Sequence, residues 1–171
     1  MGMNHAFIAE LKSEAENTKK MLERVPEQHF DWKPHEKSMS LGRLAAHVAE
    51  LAGWPVYSIN SDGLDFATMD YKPFVPKTTA ELVKLFDDNV QQSLDALQTV
   101  TDDQMMKMWK LSNGGRVIFE QPKVVVLRGM CFNHVVHHRA QLSVYLRLLN
   151  VPVPGMYGPS ADEMEAMARA N

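Results

Sequence analysis

Cysteine is nearly missing: Cys131 is the single one in 171 residues. That excludes an internal disulfide framework and every CxxC-type zinc or redox motif. No apolar run reaches the ~18 residues of a membrane span. No basic start leads into an apolar stretch of the secretory kind, and Ala6 stands where an N-myristoylation signal needs Ser or Thr. A basic excess is missing as well. Lys and Arg total 18 against 21 Asp and Glu, a formal charge of −3, so a dedicated nucleic-acid binder is excluded. Internal repeats and low-complexity tracts are absent. These absences give a cytoplasmic expectation, with neither nucleic acid nor membrane as partner. What is present is 45% hydrophobic and 23% charged residues, the balance of one folded domain over residues 1–171.

Apolar residues recur at helical spacing from Met3 to Val25, and Pro26 stops the pattern. Ser38 or Ser40 can cap a second helix carrying Leu41, Leu44, Ala45, Val48 and Leu51. Pro55 kinks that helix or ends its first part. Residues 60–77 read as loop. Thr78 with Glu81 spells a capping box for a third helix that carries Leu82, Leu85, Phe86, Val90, Leu94 and Leu97. Thr101 with Gln104 opens a short one. Ser112-Asn113-Gly114-Gly115 suits the turn of a small hairpin over Trp109–Phe119. From Lys123 to Leu149 the chain lacks proline and reads as one last long helix, ended by Asn150 and Pro152. Ser160 with Glu163 caps a tail helix. The expected fold is all-α: a four-helix bundle with a crossover connection, short extra helices and a small hairpin.

Seven histidines carry the chemistry: His5, His29, His35, His47, His134, His137 and His138. His134 and His138 stack one turn apart on one helix face, where two imidazoles can chelate one ion. His47 sits among Ala45, Ala46, Val48 and Ala49, a run too apolar for a solvent face. Three imidazoles on one divalent ion leave coordination positions open, the catalytic rather than the structural arrangement. HExxH is absent because position 135 is Val135, and no glutamate precedes these histidines by three as in di-iron bundles. Spacing alone leaves open that the histidines are core or surface residues. His137 competes with His138 for the pairing; His138 is preferred because His134, His138, Gln141 and Tyr145 share one stripe. Glu50, Gln141 and Tyr145 are the candidate catalytic groups and Trp54 the candidate pocket wall. Cys131 reads as an inert buried thiol. Arg139, off the stripe, reads as a salt-bridge or subunit contact.

The segment Asn133-His134-Val135-Val136-His137-His138-Arg139-Ala140-Gln141-Leu142 resembles the second signature of the DinB/YfiT-like metalloenzymes: a histidine, three residues, then His-Arg-small-Gln. Leu44-Ala45-Ala46-His47-Val48, with Trp54 seven residues on, resembles the first, and Val151–Glu163 resembles the family's ending. Ala140 stands where many members have glycine. The resemblance spans the chain. It implies a four-helix bundle, one divalent metal held by His47, His134 and His138, and commonly a homodimer. Zinc, nickel and iron all suit imidazole. Some relatives use low-molecular-weight thiols in transfer or isomerisation, which points to a thiol-dependent S-transferase acting on a small molecule. A metal-dependent hydrolase and a non-catalytic metal- or ligand-binding stress-response protein are the alternatives.

Overall fold

The structure is a computed structural model and describes residues 2–170; Met1 and Asn171, the ends of the expected domain, lie outside the described residues. Helix α1 spans Met3–Leu22. It stops short of the expected Val25 because the residue before a proline is pushed out of the helical region, so the chain unwinds ahead of Pro26. Lys19 and Lys20 in its last turn complement the helix dipole. A 3-10 turn at Glu27–His29 leads into α2, Leu41–Leu51. Ser40, not Ser38, caps it: its Oγ accepts from the Arg43 N–H. A cap of this kind contributes ~1 kcal/mol.

Helix α2 is almost wholly buried, with Leu41, Leu44, Ala45, Ala46, Val48, Ala49 and Leu51 closed to solvent. A break at Ala52-Gly53 separates it from α3, Trp54–Asn60, whose first turn holds Pro55. Proline is tolerated there because its missing N–H has no partner to lose. Carbonyls orphaned by the break are satisfied from α4, Thr79–Thr99: the Asn89 amide donates to Ala49 O at 2.9 Å and the Ser93 hydroxyl to Ala52 O at 2.6 Å.

The chain is mostly helical but not all-α, a correction to the sequence expectation. Short α5, Asp102–Met105, precedes the expected hairpin of β2, Met108–Asn113, and β3, Arg116–Pro122. A third strand, β1 at Gly63–Asp65, joins it parallel to β2. Gly114 and Gly115 both take positive φ (59° and 82°), as the tight turn requires. The Asp65 carboxylate pins this turn, accepting from the Gly114 N–H at 2.8 Å, the Gly115 N–H at 3.1 Å and the Ser112 hydroxyl at 2.9 Å. Trp109, Leu111 and Val126 form the sheet's own small core.

The Gly115, Ala67 and Gly114 N–H groups, helped by the Ser112 hydroxyl, hold the Asp65 carboxyl at about 2, below its ordinary 3.8. Such a group stabilises the fold above pH ~4, and the contribution is lost as pH falls towards 2. Asp65→Asn keeps an acceptor oxygen but not the charge. We expect the wild type to unfold at a higher temperature than Asp65→Asn at pH 6, with the gap closing between pH 4 and pH 2. A gap of constant size over that range would refute the account.

The last long helix is interrupted. It runs as α6, Lys123–Val126, then as a π-helical segment, Leu127–Asn133, then as α7, His134–Leu148. Tail helix α8, Ala161–Ala170, follows. Helices α1 and α2 each lie against both α4 and α7, and the main core fills the space between them, centred on Met21, Leu22, Leu44, Leu82, Phe86 and Leu142. Among the described residues no helix is long and apolar enough to cross a membrane.

Candidate metal centre

Helix α2 buries nearly every side, and its polar residues fall on one stripe: Arg43, His47 and Glu50, at i, i+4 and i+7. Helix α7 packs across it and presents His134 and His138 from its first two turns. The π segment ends at Asn133, directly before His134; such insertions recur at functional sites. Ring centroids of His47 lie 5.3 Å from His134 and 4.6 Å from His138, and the latter two are 4.7 Å apart. One nitrogen from each ring falls within 4.8 Å of the other two. Nitrogens ~2.1 Å from one shared tetrahedral ion lie ~3.4 Å apart, so ring shifts of about an ångström bring all three into bonding range.

The hydrogen bonding fits a cation. Gln141 Oε1 lies 2.8 Å from His138 Nδ1. An amide oxygen only accepts, which assigns the proton to Nδ1 and the lone pair to Nε2. The Nε2 atoms of His134 and His138 then face each other at 2.9 Å. Two lone pairs at that separation repel unless a proton or a cation lies between them. Burial pushes both rings below the ordinary imidazole range, His138 to about 4, with His47 and neighbouring imidazoles adding to the effect. Neutral imidazole is the form that ligates metals. His47 Nδ1 is buried without a hydrogen-bond partner; Glu50 Oε2 is 3.7 Å away.

Glu50 is a hub rather than a free base. Its Oε2 accepts from Arg43 Nη2 at 2.8 Å and from the Tyr71 hydroxyl at 2.6 Å, and its Oε1 from the Phe74 N–H at 2.7 Å. Burial pushes its carboxyl up, but His47, Arg43, Tyr71 and the Phe74 N–H outweigh that and hold it at about 2. Burial and Glu50 raise the Tyr71 phenol to about 12, so it stays a donor. Trp54 stands edge-on to His134 at 6.4 Å. With Met39, Phe66, Met69 and Met130 it walls a cleft of about 600 Å³ that opens onto His47 and His134.

Glu50 and Gln141 thus touch triad rings, and Trp54 walls the cleft. Tyr145 does not reach the triad: it packs edge-on against Trp32 at 5.7 Å, with its hydroxyl on the Met39 carbonyl. His137 is exposed and outside the cluster. Arg139 is buried, paired with Glu14 at 2.6 Å and bonded to Tyr157 at 2.7 Å. Cys131 lies 3.5 Å from the Ser58 hydroxyl, and burial pushes its thiol up to about 12. Arg43 and Tyr71 are the residues sequence reasoning missed. Arg43 carried a signal, its spacing with His47 and Glu50 on an apolar helix; Tyr71 sits in a loop and carried none.

The DinB family model matches residues 1–170. This chain belongs to the DinB family. It is 24% identical to the uncharacterized protein YrdA of Bacillus subtilis (strain 168) over 163 residues, covering 92% of this chain and 89% of that one. It is 23% identical over 152 residues to the uncharacterized YjoA of the same strain, covering 86% and 91%. A crystal structure of a DinB-like protein from Bacillus cereus ATCC 10987 superposes with a TM-score of 0.68 at 25% identity, covering 90% of this chain and 97% of that one. The DinB-like YjoA structure from Bacillus subtilis gives 0.66 at 18% identity, covering 87% and 96%. DinB membership and the three converging imidazoles together fit a metal-binding protein.

Proposed function

We propose that this DinB protein is a divalent-metal-dependent enzyme acting on a small molecule, of the thiol-dependent S-transferase type, with His47, His134 and His138 as the metal ligands. The carrying observation is the convergence of three imidazoles from two helices on one point at the floor of an open cleft. We also read the packing of α1 and α2 against α4 and α7 as the family's four-helix bundle. A divalent ion at this point lowers the pKa of a thiol or water that reaches it and polarises an electrophile. The chain's own residues orient and shelter. Gln141 fixes the ring of His138; Glu50 stands beside His47; Trp54 and the methionines supply the apolar wall of the cleft.

The state of Glu50 favours thiol chemistry over hydrolysis. A general base works best with a pKa near the operating pH. Glu50 is held at about 2 with its oxygens already engaged. A thiol, with an ordinary pKa of ~8.5, needs less help to ionise than water does. Zinc, nickel and iron suit three imidazoles. A cytoplasmic homodimer with a stress-response role belongs to the same reading. We take the exposed Val144 and Leu148 on α7 as the candidate dimer face.

The test loads purified protein with zinc, nickel or iron(II) and assays chlorodinitrobenzene and monobromobimane conjugation with several cellular thiols. The expected result is metal-dependent conjugation with at least one thiol, lost in His47→Ala. Rates equal to those of His47→Ala for every metal and thiol would sink the transferase reading. Light scattering on the same samples should give twice the 19.4 kDa chain mass.

A further inference from the structure

Arg43 is the charged group of the cleft that the metal reading leaves unexplained. It lines the cleft together with His47, one turn before it on α2. Its Nη2 donates to Glu50 at 2.8 Å and to Tyr71 at 2.6 Å. Its Nη1 is buried and has no partner. A guanidinium carries five donors in a planar fork that matches the two oxygens of a carboxylate. Leaving one such N–H buried and unpaired is costly, and native proteins keep unsatisfied groups mainly where a role requires them. Glu50 does not complete the fork: it engages Nη2 alone, while its other oxygen is taken by the Phe74 N–H. Apart from His47, His134 and Tyr71 the rest of the wall is apolar, and three of its members, Met39, Met69 and Met130, are methionines. Unbranched thioether side chains reshape readily around a guest.

We propose that the cleft takes a mainly apolar small molecule ending in a carboxylate, and that Arg43 Nη1 recognises that carboxylate. The apolar body lies along Trp54, Phe66 and the methionines, with one end at the triad. The inference deepens the metal-enzyme reading and rests on it for what the far end of the guest meets; the contact between Arg43 and the carboxylate does not itself require the ion. It assigns substrate class, an anionic electrophile, where the triad alone assigns none.

The test compares 4-phenylbutyrate with 4-phenylbutanamide by calorimetric titration of zinc-loaded and chelator-treated protein, with zinc content measured on every sample. Wild type should bind the acid at least about tenfold more tightly than the amide, the size expected of a charge-assisted hydrogen bond. In Arg43→Met the ratio should fall to about one in both zinc-loaded and chelator-treated samples. Arg43→Lys keeps the charge and guards against a misfolded variant; it should give an intermediate ratio. A wild-type ratio near one overturns the inference while leaving the metal site intact. So does an acid preference that survives in Arg43→Met, which would mean that the carboxylate binds the metal instead. A sample that takes up no zinc overturns the metal reading, and the ratio in chelator-treated protein still decides the role of Arg43.

Discussion

His138→Ala should strip the protein of its metal. Elemental analysis after loading and desalting should fall from about one divalent ion per chain to below about a tenth, because two remaining imidazoles hold an ion far less tightly than three. The neighbouring His137→Ala is the sharp control. His137 lies on the same helix and its ring is 4.8 Å from that of His138, yet it is exposed and outside the convergent set. Its removal should leave the metal content at about one. Equal losses in the two variants would show that the wrong face of α7 has been assigned.

Glu50→Ala should be nearly as damaging, by a different route. The carboxylate stands 3.7 Å from His47 Nδ1 and ties down Arg43, Tyr71 and the Phe74 backbone. Groups that orient a metal-ligating imidazole typically contribute 10–100-fold to affinity. We therefore expect competitive chelator titration to show zinc affinity reduced by about that factor. Without metal the variant should also be less stable by ~1–3 kcal/mol, since a half-buried guanidinium loses its counter-charge. Glu50→Gln retains an acceptor oxygen and should lose less on both counts. Hydrogen exchange over residues 66–74 should rise in Glu50→Ala, because the Glu50 acceptor of the Phe74 N–H is removed. Unchanged zinc affinity in Glu50→Ala would show that His47 is oriented by other means.

Local chemistry was the legible part of the fold. The caps at Ser40, Thr78 and Thr101, the break before Pro55 and the glycine turn at 114–115 each depend on a few neighbouring residues. Strand β1 was not legible: three residues give no period, and its partner Lys110–Ser112 lies 47 positions away. The π segment escaped as well, since Leu127–Asn133 contains nothing that sets it apart from an ordinary helix. The triad could be placed because two of its members share a helix face and the third is a histidine in an apolar run. Tyr145 illustrates the limit of the same logic. It follows the stripe of His134, His138 and Gln141, but it lies nearly two turns beyond His138, ~10 Å along the axis, where the helix has left the cleft and packs against Trp32. Tyr71 reaches the site only because the segment between β1 and α4 folds back onto Arg43 and Glu50 of α2.

The inertness of Cys131 bears on how such a protein survives its own reagents. If the proposed transferase reading holds, the chain works among small thiols and electrophiles and is exposed to capping by mixed disulfides and to alkylation. Both need an accessible thiolate. The one sulfhydryl here is 2% exposed, and burial pushes it up to about 12. On the proposed transferase reading the polypeptide would therefore neither compete with a thiol co-substrate for the electrophile nor poison itself by exchange, and the nucleophilic sulfur would be drawn from solution.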